Sequence, residues 1–280
     1  ISDGHELWGS RKLYDLYKEA HTPWEWHEPI FSLANDLGMI AFSTPFDETA
    51  VDFLETFDVP VYKIASLEIV DLPLIKQVAE TGKPMILSVG TGSIAEVAEA
   101  VAAARSGGCT DLTLLACTSS YPAQPDDANL LRMPAMAQMF GTKVGLSDHT
   151  MGLGVSVAAA ALGASVIEKH VTLLRADGGV DSAFSLEPAE LAQLVEACDM
   201  AVRALGSADA WATSAENESL RLRPSLYVSE DVKAGDIATH TNVRSVRPGG
   251  GLPPKEIDRV MGRSFTADSP AGTPVSWDLF

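Results

Sequence analysis

Apolar residues fall along this chain in short runs, each closed by polar or ionisable side chains. The runs occupy residues 39–45, 61–66, 85–90, 112–118, 144–149 and 166–172. Each has strand length and β-rich composition, and each lies among segments with helical periodicity, such as 94–104 and 151–162. Strand followed by helix, six times over, predicts βαβ units and parallel pairing. The runs are nearly continuous in apolar character, as parallel strands covered on both faces are.

The polar closures decide between two parallel architectures. They are Ser43 and Thr44, Lys63 with Ser66, Ser88, Thr118 to Tyr121, Ser147 to His149, and Lys169 to Thr172. A flavodoxin-like sheet gathers such residues at one switch point, whereas a (β/α)8 barrel carries them at every strand end. All six runs carry them, so the expected fold is α/β, a TIM (β/α)8 barrel. Six strands are two short of eight, and the missing pair is expected upstream of Ile1. The first clear helix reads as Thr22 at the N-cap, Pro23 at N1 and Glu25 at N3, running through Phe31 to Leu37 and stopping at Gly38. A helix over 188–205 closes the barrel. The expected organisation is a barrel domain over 1–206, a polar linker over 207–223 and a small β-rich domain over 224–280. In that last part, strands at 225–228, 243–246 and 273–277 alternate with a Gly/Pro-rich loop at 247–254 and a short helix at 257–261.

Composition narrows the partners. The chain has 280 residues, 46% of them hydrophobic, and a net charge of −18. Such a surface repels nucleic acid and anionic membranes. An anionic substrate would therefore need local positive charge at its site. No apolar run reaches the ~18 residues of a membrane span. The three cysteines, Cys109, Cys117 and Cys198, have no metal-type spacing and fit a reduced, cytoplasmic setting.

Candidate chemistry sits at the strand ends. His149 and His170 close neighbouring strands, within reach of one metal ion or else satisfied structurally by backbone groups. Lys63 lies inside an apolar strand, where it either meets an anion or snorkels outward. Thr44, Ser66, Ser88 and Ser147 are hydroxyl donors at the same level. Singly they read as turn residues, but together with Lys63 they make a pocket for phosphate or carboxylate. Glu68 and Asp181 are acid, base or sugar-binding candidates, with a solvated loop position as the plainer alternative.

Five segments then carry a resemblance: Tyr-Lys-Ile-Ala-Ser-Leu-Glu68, Leu-Ser-Val-Gly90, Cys-Thr-Ser-Ser-Tyr-Pro122, Gly-Leu-Ser-Asp-His-Thr150 and Ile-Glu-Lys-His-Val-Thr172. In order and spacing the chain resembles the sialic-acid synthase family. Its tail from Pro224 is similar to the family's C-terminal antifreeze-like (SAF) domain. The segment 13–27 and Gly178-Gly-Val-Asp-Ser-Ala-Phe-Ser-Leu-Glu187 look most like the pseudaminic acid branch. The resemblance implies a transferase that condenses phosphoenolpyruvate with an acylated amino sugar. It implies a divalent cation on His149 and His170, Mn2+ before Mg2+ or Co2+. Lys63, Thr44, Ser66, Ser88 and Ser147 would hold phosphoenolpyruvate, with Lys63, Glu68 and Tyr121 at the chemistry. Ser119 and Tyr121 would line the site, and Glu68 and Asp181 would contact the sugar. Arg247 would serve the other subunit of a domain-swapped homodimer. Neuraminic or legionaminic acid synthesis is the near alternative, and carbohydrate binding without turnover the distant one. Leu222 and Pro224 depart from the family's Phe and Arg, and the family's upstream Glu and Lys-Phe-Gln segment is not in this sequence.

Overall fold

The computed structural model describes residues 12–209, 211 and 213–280. The chain divides into two compact units, Ile1–Gly206 and Ser207–Phe280.

The first unit opens with helices α1 (Leu13–Ala20), α2 (His27–Asp36) and α3 (Glu48–Glu55). Alternation follows: β1 (Tyr62–Ile64), α4 (Leu72–Glu80), β2 (Met85–Ser88), α5 (Ile94–Ser106), β3 (Leu112–Cys117), α6 (Arg132–Phe140), β4 (Lys143–Asp148), α7 (Gly154–Ala161), β5 (Ile167–Lys169) and α8 (Pro188–Ala204). The five strands form one parallel sheet in the order β1-β2-β3-β4-β5. Strand order equals chain order, as in a barrel wall. Helices cover its outer face through stripes at helical spacing, Leu74, Ile75, Val78 and Ala79 on α4, and Val97, Ala100, Val101 and Ala104 on α5. These pack on Tyr62, Ile64, Leu87 and Leu114 from the strands. Ser93 and Glu96 start α5 with a reciprocal capping box. Gly145 has no side chain because β5 approaches so closely that a Cβ there would strike the Val166 carbonyl.

Two expectations in this unit are corrected. Residues 39–45 form no strand, and Met39, Ile40 and Phe42 are exposed. Apolar pattern alone does not make a strand; a ladder does, and among the described residues this segment has none. The capping box at Thr22 is also not formed. The chain makes a 3-10 turn over Trp24–Trp26 capped by Pro23, and α2 begins at His27 with no side-chain cap. Aromatic packing fixes this entry instead. Trp24 stacks on Phe53 at 4.3 Å, and His27 meets the edges of Phe31 and Phe53.

In the second unit, β6 (Ser225–Val228) and β7 (Val243–Val246) pair antiparallel, following α9 (Asn217–Leu220), and α10 (Ile257–Val260) comes later. Leu226, Val228, Val243, Val260, Phe265 and Val275 make a core of their own. The strand expected at 273–277 is reduced to a single bridge between Tyr227 and Pro274, and a 3-10 turn begins at Trp277. Pro274 has no N–H to extend a ladder. The polar stretch before β6 is not wholly irregular, since Thr213 and Glu216 cap a short helical segment there.

Candidate active site

Period-two alternation along each strand sends one set of side chains outward to the helices and the other inward. On β1, Tyr62 points outward, its hydroxyl donating to Glu55 Oε1 at 2.7 Å, and Lys63 lies on the opposite side. On β4 and β5 the register pairs Ser147 with Glu168 and Asp148 with Lys169. Ser147 and Glu168 are inward and bonded, Ser147 Oγ donating to Glu168 Oε1 at 2.6 Å. Two residues on, His149 and His170 are inward as well, just past the last ladder pair.

These ends line one cavity of about 810 Å³. Of the residues singled out from sequence, Thr44, Lys63, Ser66, Glu68, Ser88, Tyr121, Ser147, His149, His170 and Asp181 line it. Ser119 stands behind the wall, its hydroxyl 2.8 Å from that of Ser66. Gly90 makes room for it: a Cβ there would lie 2.5 Å from Ser119 Oγ. Arg247 belongs to the second unit and is exposed.

Lys63 is buried, with only 7% of its side chain exposed. Its ammonium donates to the Ile64 carbonyl at 3.0 Å and faces Glu168 Oε2 at 3.5 Å. A buried lysine is costly unless it meets negative charge, and Glu168 is one such partner here. Two cavity atoms are buried with no hydrogen-bond partner, Ser88 Oγ and Glu68 Oε2. Orphaned polar atoms on a cavity wall are partners for a bound molecule. Burial pushes the Glu68 carboxyl up from its ordinary range, with Lys63 pulling the other way. Tyr121 packs against His149 at 4.4 Å and Phe184 at 5.7 Å between centroids. Burial, together with nearby acidic groups, raises its phenol to about 12.

The two imidazoles lie 5.1 Å apart between ring centroids, inclined at 68°. His149 Nδ1 is 3.0 Å from the Thr118 carbonyl, and His170 Nδ1 is 3.4 Å from Asp181 Oδ2. Burial works against a charged His149, but the Cys117 sulfur and the Thr118 carbonyl outweigh it and raise its pKa. An acceptor near each Nδ1 favours the proton there, which leaves Nε2 as the lone-pair donor, the usual arrangement behind ligating histidines. That donor set fits a divalent cation with open positions. Among the described residues no cluster of three or more His, Cys, Asp or Glu gathers in metal-binding geometry, so the protein's share would be two nitrogens.

The loop bearing Asp181 is fastened to α8. Arg175 donates to Glu190 Oε1 at 3.0 Å and to the Ser185 carbonyl at 3.0 Å, and Ser185 Oγ donates to the Asp181 carbonyl at 2.7 Å. Glu187 and Glu190 form a capping box around Pro188 at the start of α8. Sequence reading passed over Glu168 and Cys117. Counting back by two from His170 turns Glu168 inward, and Cys117 lies opposite the inward Ser147.

A parallel barrel wall whose strand ends converge a lysine, hydroxyls, carboxylates and imidazoles on one cavity defines a barrel-fold synthase. The chain belongs to the NeuB family, whose model matches residues 2–210, and a SAF domain follows over residues 223–280. It is 42% identical over 273 residues to the pseudaminic acid synthase of Helicobacter pylori, covering 97% of this chain and 80% of that protein. It is 36% identical over 243 residues to the N,N'-diacetyllegionaminic acid synthase of Campylobacter jejuni, covering 86% of this chain and 73% of that protein. Among solved structures, the N-acetylneuraminic acid synthetase of Leptospira borgpetersenii in complex with citrate aligns with a TM-score of 0.69 at 32% identity. That alignment covers 74% of this chain and 72% of that one.

Proposed function

We propose that this protein is a nonulosonic acid synthase that condenses phosphoenolpyruvate with 2,4-diacetamido-2,4,6-trideoxy-altrose, a pseudaminic acid synthase. The observation that carries the reading is the pairing, in one cavity, of a buried lysine ringed by serine hydroxyls with two imidazoles. The first group suits a small multiply charged anion, the second an aldehyde-activating cation. The identity to the Helicobacter pylori synthase supports the same reading.

Lys63, Ser66, Ser88, Ser147 and Thr44 hold the phosphate and carboxylate of phosphoenolpyruvate, supplying orientation and charge balance. Glu68 and Asp181 take sugar hydroxyls and amides, and the Tyr121 phenol donates a hydrogen bond near them. A divalent cation, Mn2+ by preference, would be held by His149 and His170 and would polarise the C1 aldehyde of the open-chain sugar. C3 of phosphoenolpyruvate bonds to C1 as the C1=O π bond opens; water adds at C2 and gives one proton to the C1 oxygen; C2 becomes the ketone as its C–O bond to phosphate breaks, the second proton leaving with the phosphate. Phe46, Leu67 and Val180 are apolar members of the cavity lining. They suit the methyl of a 6-deoxy sugar better than a hydroxymethyl group. In a homodimer, Arg247 would complete the neighbouring subunit's site.

The test is phosphate release from phosphoenolpyruvate with each of three sugars, the pseudaminic, legionaminic and neuraminic precursors, with Mn2+ and with chelator. The expected result is release that requires the cation and is fastest with the altrose-configured sugar. Preference for another sugar would move the protein to a sister activity. Sugar binding with no release under any condition would make it a carbohydrate-binding protein.

A further inference from the structure

The outward faces of β4 and β5 hold an ion pair that the chemistry above does not use. Asp148 and Lys169 are the last ladder pair between these strands. Their side chains are 1% and 3% exposed, and Asp148 Oδ2 lies 2.9 Å from Lys169 Nζ. Neither lines the cavity. Every oxygen of Asp148 is engaged: Oδ1 accepts from the Thr150 amide at 2.9 Å and the Thr150 hydroxyl at 2.7 Å, and Oδ2 also accepts from Ser156 on α7. Lys169 donates a second hydrogen bond to the Thr150 carbonyl.

The arrangement brackets a histidine. Lys169 touches residues 148 and 150, on either side of His149, and is itself covalently joined to His170. Beyond this pair the backbones part. The His149 carbonyl accepts from Ala123, on the β3 side, and the His170 carbonyl accepts from Leu186, on the α8 side. Past the end of the ladder, the clamp is a polar connection between the two chains at the level of the rings.

We propose that Asp148 and Lys169 are positioning residues that set the separation and inclination of His149 and His170, and through them the affinity for a divalent cation. The cation half of this inference rests on the function proposed above. The geometric half does not. Elsewhere, partners that orient ligating side chains change metal affinity by about 10–100-fold when replaced. Breaking one member leaves a buried charge unpaired and endangers folding. The informative variant therefore neutralises both, as Asp148→Asn with Lys169→Met.

Two measurements and a control variant, all on the full chain, test it. Co2+ titration followed by visible absorption reads affinity and ligand geometry. A crystal structure of the double variant reads ring spacing without reference to any metal. A core variant such as Ile75→Val, in the fully buried face of α4, serves as the control for general destabilisation. The expected result is a folded double variant with ring centroids displaced from 5.1 Å, about 10-fold or more weaker Co2+ binding and altered visible bands, while the control keeps native bands. Unchanged ring geometry would overturn the clamp, as would unchanged Co2+ affinity and spectrum in a variant that binds the ion. Displaced rings in a protein whose wild type binds no Co2+ would uphold the clamp and sink the cation reading instead. If the double variant does not fold, Lys169→Arg keeps the charge but changes its reach, and native bands with native affinity there would overturn the proposal.

Discussion

On the proposed function, Lys63 is the residue on which anion binding turns. Replacing it with Ala removes charge-assisted hydrogen bonds made by a side chain only 7% exposed. The expected loss in phosphoenolpyruvate affinity is about 10–100-fold, with little change for the sugar. Calorimetric titration with each substrate separately checks this, and equal losses for both would contradict the anion role. Glu68 makes a different prediction. Its carboxyl is pushed up by burial, so the fold favours the protonated form. As pH rises through the ordinary carboxylate range, the unfolded chain ionises freely while the fold resists, and stability drains away. Glu68→Gln cannot ionise. It should melt higher than wild type at pH 7, converge with it in acid, and lose about 100-fold or more in turnover. Melting curves across pH, run beside the phosphate assay, separate the two effects. Most of the polar residues that line the cavity were legible because a lysine, serine or histidine closing an apolar run is conspicuous. Glu168 was not, because an acidic residue beside a lysine in Ile167–Lys169 reads as a solvated pair. Its place two residues before His170, opposite Ser147, turns it inward.

At the scale of elements, the loop that carries Asp181 depends on Arg175 and Glu190. The guanidinium, bonded to the Glu190 carboxylate, holds it at about 2, well below its ordinary 4.5. A lowered folded value stabilises above the ordinary value and fades as pH falls toward the folded one. Glu190→Gln should therefore lower the urea midpoint at pH 7, and the gap from wild type should narrow between about pH 4.5 and 2. A gap independent of pH would mean that the ion pair contributes nothing there. Elements themselves were legible where pattern and ladder agree. The runs at 61–66, 85–90, 112–118, 144–149 and 166–172 all became strands, because each has a parallel neighbour. The run at 39–45 has the same pattern without a ladder, and pattern does not report the presence of a partner. The start of α2 was misplaced for a related reason. Stacking of Trp24 on Phe53 joins residues far apart in sequence, and a local capping motif cannot foresee it.

At the scale of the molecule, the two units have separate cores. Phe265 is fully buried among Leu226, Val228 and Val275. Phe265→Ala should destabilise the second unit by about 3–5 kcal/mol, and hydrogen exchange should accelerate in β6 and β7 while β1 to β5 keep their protection. Faster exchange throughout would show that the units unfold as one. The sheet of the first unit has another property. Because strand order equals chain order, each pairing closes a loop of roughly twenty to thirty residues, and no pairing waits on a distant one. The entropy of closure grows only logarithmically with loop length, so the four closures cost nearly the same. Such a wall can grow strand by strand from any starting pair, as it emerges from synthesis, with every intermediate stage already a covered parallel sheet.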